Sequence, residues 1–214
     1  MAKRSTGRRK STARPAAAAA RATTPDDRVI DAALKLAAAN GWRRTTLADI
    51  ASEASLSLAE LYSRFPSKAS IREAFIRRVD RATLEGADKT RDDDTSVRDR
   101  LFELIMRRLD ALDPYKDAVA ALVRDLSFHP VASLCVGRRL CRSMAWVASV
   151  AGVPTTGPLG MLRVKGLAAL YAYVLRVWLR DDSADHAKTM AALDKALQRA
   201  EMFAQSVPAP LKRA

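Results

Sequence analysis

Aromatic residues fill only 6% of the 214 positions, and the chain has two cysteines, two histidines, eight glycines and nine prolines. So few turn residues argue against an all-β protein rich in loops. Cys135 and Cys141 form neither a CxxC pair nor a disulfide framework, so a reduced cytoplasmic setting is the simplest expectation. His129 and His186 each stand alone, which leaves a zinc site nothing to be built from. The longest apolar run, Gly166 to Leu179, contains Arg176 and is too short to span a bilayer, so no membrane is expected as a partner. Paired-carboxylate signatures, a nucleophile elbow and a phosphate-cradling glycine loop are all missing. These absences predict neither an enzyme nor a metal or cofactor. What the chain does have is 49% hydrophobic residues, with alanine and leucine dominant, and 29% charged ones. That composition favours an all-α protein with a sizeable core.

The net charge of +13 is unevenly placed. Residues 1–24 carry seven Lys or Arg and no acid, whereas residues 25–86 are nearly balanced at +1. No Leu, Ile, Val or aromatic precedes Val29, so this basic stretch has too little apolar surface to offset its ordering entropy and is expected to be disordered. It reads as an arm that adds sequence-independent affinity for nucleic acid. A transit peptide or a plain solvated tail are the rival readings.

Ordered structure is expected from Thr24-Pro25-Asp26-Asp27, with an N-cap, a proline at the first helical position and an acid at N3. Ile30, Ala33, Leu34 and Ala37 recur at helical spacing until Asn40-Gly41 stops the helix. Thr46 with Asp49 starts a second helix, through Ile50, Ala51 and Ala54. After a break at Ser55-Leu56, Ser57 with Glu60 starts a third, which ends near Phe65-Pro66. A fourth begins at Ser67 and carries Ile71, Phe75 and Val79. Closely spaced caps with so short a break between the second and third helices spell a helix-turn-helix.

Residues 86–95 read as a polar linker. Ser96 with Asp99 then caps a helix that stops by Pro114, and further helices are expected at about 115–128 and 131–150. Gly152 to Pro158 reads as a loop. The last two helices are expected at about 159–179 and, capped by Asp182-Ser183, at about 183–205. The former is apolar on every face and the latter has a stripe of Met190, Leu193 and Leu197, so covering both points to a partner subunit. A central core helix within a monomer is the alternative.

Gly41-Trp42, Thr45-Thr46, Ile50-Ala51, Ala54-Ser55-Leu56-Ser57, Leu61-Tyr62, Phe65 and Ser67-Lys68, read as one spaced string, resemble the TetR family of bacterial regulators. The resemblance covers residues 26 to about 80. It implies a homodimer with an N-terminal three-helix DNA-binding domain and a C-terminal helical bundle for dimerisation and ligand binding. The expected division is 1–24 basic arm, 25–86 DNA-binding domain, 87–206 ligand-binding and dimerisation domain, and 207–214 tail. The implied function is a transcriptional regulator, a repressor released from its double-stranded operator by a small apolar inducer. Family members often have Gly where this chain has Ser55 and Ala59, so Ser55 is expected to make its turn in a left-handed conformation.

A recognition helix enters the major groove with its N-terminal residues toward the bases. Leu58, Ala59 and Glu60 are therefore expected near base edges, with Ser63 further along. Leu58 and Ala59 suit a thymine methyl, and Glu60 either accepts from cytosine or closes the capping box with Ser57. Thr46 and Ser57 suit phosphate oxygens at helix N-termini. The resemblance adds Tyr62, Arg64 and Lys68 as backbone contacts, and Arg43 and Arg44 lie just ahead of the second helix. Phe128, Met144, Trp146, Met161, Tyr171, Tyr173 and Trp178, with Arg142, are expected to supply the ligand pocket.

Trp178, Asp181, Ser183, Asp185, Thr189 and Leu193-Asp194 are also similar to a stretch of the mitochondrial coenzyme Q biosynthesis accessory proteins. That resemblance implies an alternative function as a lipid- or isoprenoid-binding accessory protein of quinone biosynthesis.

Overall fold

The computed structural model describes residues 24–85, 95–126 and 130–206. All regular structure in them is helical. The basic arm, most of the 86–95 linker, Phe128, His129 and the 207–214 tail lie outside the described residues.

The first four helices are α1 (Pro25–Asn40), α2 (Leu47–Glu53), α3 (Leu58–Arg64) and α4 (Lys68–Leu84). Each starts at the residue its cap predicts, and each cap closes a reciprocal box: Thr24 with Asp27, Thr46 with Asp49, Ser57 with Glu60 and Ser67 with Ser70. Gly41 ends α1 at φ 82°, a region that glycine reaches without strain. Ser55, at φ 55°, makes the left-handed turn between α2 and α3. There the Leu56 N–H donates to the Ala51 carbonyl at 2.9 Å, which closes α2 and sets the angle at which α3 leaves it. Val29, Ile50, Leu61, Phe65, Ile71 and Phe75 are buried together, so the short helices α2 and α3 are held by tertiary packing.

Then come α5 (Val97–Leu112), a 3₁₀ turn (Asp113–Tyr115), α6 (Lys116–Leu126), α7 (Pro130–Val150), α8 (Gly157–Trp178) and α9 (Ala187–Ser206). Two boundaries differ from the sequence expectation. Pro158 lies in the first turn of α8, where a missing N–H disturbs nothing, so the loop ends before Gly157. Close by, a Cβ at Gly160 would lie 2.2 Å from the Thr155 carbonyl carbon, so the incoming loop crosses α8 at backbone contact. Nor do Asp182 and Ser183 cap the last helix, which begins at Ala187 after His186 turns at φ 53°. Asp181 does that work from a distance. Its carboxylate accepts from the Thr189 N–H at 2.8 Å and hydroxyl at 2.7 Å, and from the Ser183 N–H at 3.2 Å. Hydrogen bonds from Ser183 and Thr189 hold the Asp181 carboxyl well below the usual carboxylate range.

The two groups of helices share one core. α1 packs on α6, and α4 packs on α5 and α7. Leu122 of α6 closes against Ile30, Trp42, Ile71 and Phe75, leaving a narrow crevice there. Further along α4, Asp80 is gripped from two other helices. Arg108 of α5 reaches one carboxylate oxygen at 2.5 Å, while Arg139 and Ser143 of α7 donate to the other at 3.0 and 2.9 Å. The Arg108 guanidinium also lies 5.3 Å from the centre of the Tyr171 ring on α8. α4 thus runs as one continuous helix from the helix-turn-helix into this junction.

Candidate nucleic-acid interface

The break at Ser55-Leu56 turns the chain so that α3 stands clear of α1 and α2 on its outer face. Leu61 packs inward, while Leu58 keeps 56% of its surface in water and Tyr62 keeps 69%. Ala59 and Ser63 are exposed with them, and the Ser63 hydroxyl donates back to the Glu60 carbonyl at 2.8 Å. An exposed leucine and tyrosine one turn apart contribute nothing to this core, so α3 presents a contact face. Arg43 and Arg44 are exposed in the turn ahead of α2, and Arg43 lies 3.9 Å from Asp125 of α6.

Three side chains expected to reach DNA also bond within the protein. The Ser57 N–H and hydroxyl donate to one Glu60 carboxylate oxygen at 2.8 and 2.7 Å. These bonds from Ser57 hold the Glu60 carboxyl below its usual range and close the capping box at the start of α3. Arg64 turns back to α1 and pairs with Asp26 at 2.8 Å, which braces α3. Lys68 donates to the Trp42 carbonyl at 2.6 Å and lies 4.8 Å from the centre of the Trp42 ring. Burial pushes the Lys68 ammonium down from its ordinary pKa. Lys68 thereby pins the Gly41–Thr45 turn to the start of α4. Thr46 and Ser57 remain at exposed helix N-termini, their hydroxyls accepting from Asp49 and Glu60 N–H groups.

Of the residues expected to line a ligand pocket, Phe128 lies outside the described ones and the others divide between core and surface. Met144, Tyr171 and Trp178 are core side chains, with Lys116 lying 5.4 Å from the centre of the Trp178 ring. Trp146, Met161 and Tyr173 are exposed, as is Arg142. Helical geometry gives the reason: Met144 and Trp146 are two positions apart and so point to opposed sides of α7. The Asp80–Arg108–Arg139–Ser143 cluster was missed by sequence reasoning. A signal existed, because Arg108 interrupts the apolar stripe of Leu101, Leu104, Ile105, Leu109 and Leu112.

A capped helix pair joined by a tight turn, with the outer face of the second helix open, defines a helix-turn-helix DNA-binding protein. Residues 29–75 match the family model for bacterial regulatory proteins of the tetR family. The chain resembles the solved TetR transcriptional regulator of Nitrosomonas europaea at 26% identity and a TM-score of 0.69, covering 83% of this chain and 98% of that one. A TetR regulator from Rhodococcus sp. RHA1 shares the fold at 18% identity and a TM-score of 0.57, over 82% and 94% of the two chains. So does FadR of Thermus thermophilus, a TetR-family repressor solved with lauroyl-CoA, at 16% identity and a TM-score of 0.54, over 88% and 99%. No curated protein matches the chain. Residues 29–75 thus form a tetR-family helix-turn-helix domain, and the chain as a whole has the all-helical fold of the TetR transcriptional regulators. Among the described residues, no helix is long and apolar enough to cross a membrane.

Proposed function

We propose that the chain is a homodimeric repressor that binds its operator through residues 25–86 and lets go when residues 87–206 take up a small apolar ligand. The observation that carries the DNA-reading part is the open face of α3, Leu58, Ala59, Tyr62 and Ser63, flanked by Arg43 and Arg44. Leu58 and Ala59 face bases, and Tyr62, Thr46, Ser57 and the two arginines take phosphates. Glu60, Arg64 and Lys68 act as positioning residues that hold α3 and the preceding turn. The basic arm, residues 1–24, adds general affinity.

The dimer reading is supported by α8. One side of it is buried through Val164, Leu167, Tyr171, Val174 and Trp178, while Leu162, Gly166, Ala169 and Tyr173 form an exposed stripe at helical spacing. With α9 beside it, that stripe suits a second copy of the chain. A ligand of apolar character is in keeping with the lauroyl-CoA carried by the Thermus relative. The quinone-accessory reading is less well supported, because the residues behind it have a structural account: Asp181, Ser183 and Thr189 form the knot that starts α9.

Footprinting across the promoters of its own and neighbouring genes tests the proposal. The expected result is protection of two half-sites about 34 Å apart, one turn of duplex. Equal binding to all sequences, or a monomer in sedimentation at micromolar concentration, overturns it.

A further inference from the structure

The Asp80 cluster holds two guanidinium groups against one carboxylate, deep in the seam between α4, α5, α7 and α8. Among the described residues, Asp80 is the carboxylate that pairs with both guanidinium groups, and other acids on α4 and α5 bond elsewhere. Glu73 pairs with Arg77 at 3.4 Å, Glu103 pairs with Arg107 at 2.6 Å, and Asp99 bonds with Ser96 at 2.7 Å in the cap of α5. The sequence of α7 and α8 contains six basic residues and no Asp or Glu at all. The Nε atoms of Arg108 and Arg139 are buried without a hydrogen-bond partner. A buried cation lacking its counter-charge is costly, so this corner favours an added anion.

The cluster is drier at one end than at the other. The Arg108 side chain keeps 5% of its surface in water, whereas Arg139 and Asp80 keep 16% and 17%. Apolar side chains, Leu104, Ile105 and Met144 among them, are buried along the same helices.

We propose that this cluster is the seat of a monoanionic carboxylate carried on an apolar body, held by Arg139 and Arg108. The single uncompensated charge matches one carboxylate, and a guanidinium edge takes a carboxylate in two parallel bonds. The incoming carboxylate competes with Asp80 for Arg139 and so loosens the tie between α4 and α7. This names the ligand class for the release mechanism proposed above and rests on that reading for its effect on DNA.

The test titrates acetate, benzoate and octanoate into the full chain by calorimetry, with benzamide and octanamide as neutral counterparts and inorganic phosphate as a second anion. Benzoate and octanoate should bind at least ten-fold more tightly than their amides. Arg139→Gln, at the partly wet end of the cluster, should weaken them about ten-fold. Asp80→Asn removes the internal competitor and should tighten them several-fold, with octanoate raising the variant's thermal midpoint more than the wild type's. Carboxylates that bind no better than amides, indifference to Arg139→Gln, or preference for phosphate each overturn the proposal. If carboxylates bind with the expected variant pattern and operator affinity does not change, the site stands and the ligand-release reading fails instead.

Discussion

Residues 24–85 and 95–206 are both helical, yet they are specified differently. In the first group every helix opens with a capping box whose two partners are three residues apart. In the second, α8 begins without a side-chain cap, and the first turn of α9 depends on Asp181, eight residues before Thr189. At the DNA-reading end short-range chemistry sets where each helix starts and how α3 leaves α2, and packing then holds the helices together. The C-terminal end is held by contacts distant in sequence, such as Lys116 to the Asp181 carbonyl at 2.6 Å and Arg98 with Asp194. Such contacts form and break together, and a unit built from them is better suited to rearranging.

The contrast can be broken from either side. The largest effect is expected at Trp178, which is fully buried where α8 meets Lys116. Trp178→Ala should cost about 4 kcal/mol in urea unfolding. Next comes acid. The Asp181 pKa is lower in the folded chain than its ordinary 3.8, so the stability it contributes is complete above that value and is lost as pH falls below it. Protection of the first turn of α9 from hydrogen exchange, taken against the intrinsic rate at each pH, should therefore fall on the acid side of about pH 4, and Asp181→Asn should flatten that dependence. Ser57→Ala should cost about 1 kcal/mol, and adding Glu60→Ala should cost less than a second independent change, because one box is lost in both. The smallest effect on stability is expected at Tyr62. Tyr62→Ala should shift unfolding by less than about 0.5 kcal/mol while weakening operator binding in a gel-shift titration. A large loss of stability there would remove α3 from consideration as an open contact face.

The same contrast decides what the sequence revealed. Helix starts at Thr24, Thr46, Ser57, Ser67 and Ser96 were legible because each capping partner is three residues along. The left-handed Ser55 was legible through the resemblance, because family members often have Gly there. The bonds of Lys68 to Trp42 and of Arg64 to Asp26 were not legible, because these partners lie 26 and 38 residues away. Nothing local marks Asp181, rather than Asp182, as the carboxylate that starts α9. The two-residue spacing of Met144 and Trp146 already set them on opposed sides of α7, so grouping them into one pocket overlooked a sign the sequence carried.

The unbroken course of α4 has a mechanical consequence. Twelve residues separate Lys68, which pins the turn ahead of α2, from Asp80 in the charged cluster. At helical rise that is an arm of about 18 Å. A tilt of roughly 6° about the Asp80 end would swing the Lys68 end by about 2 Å, too far for a side chain in a packed core to follow unnoticed. In the proposed dimer two such arms move at once, so the reading helices would part or close by up to about 4 Å, more than a tenth of the roughly 34 Å between half-sites. In the proposed mechanism, an exchange of one ionic partner at the fulcrum would be geared up into a mismatch with the pitch of DNA.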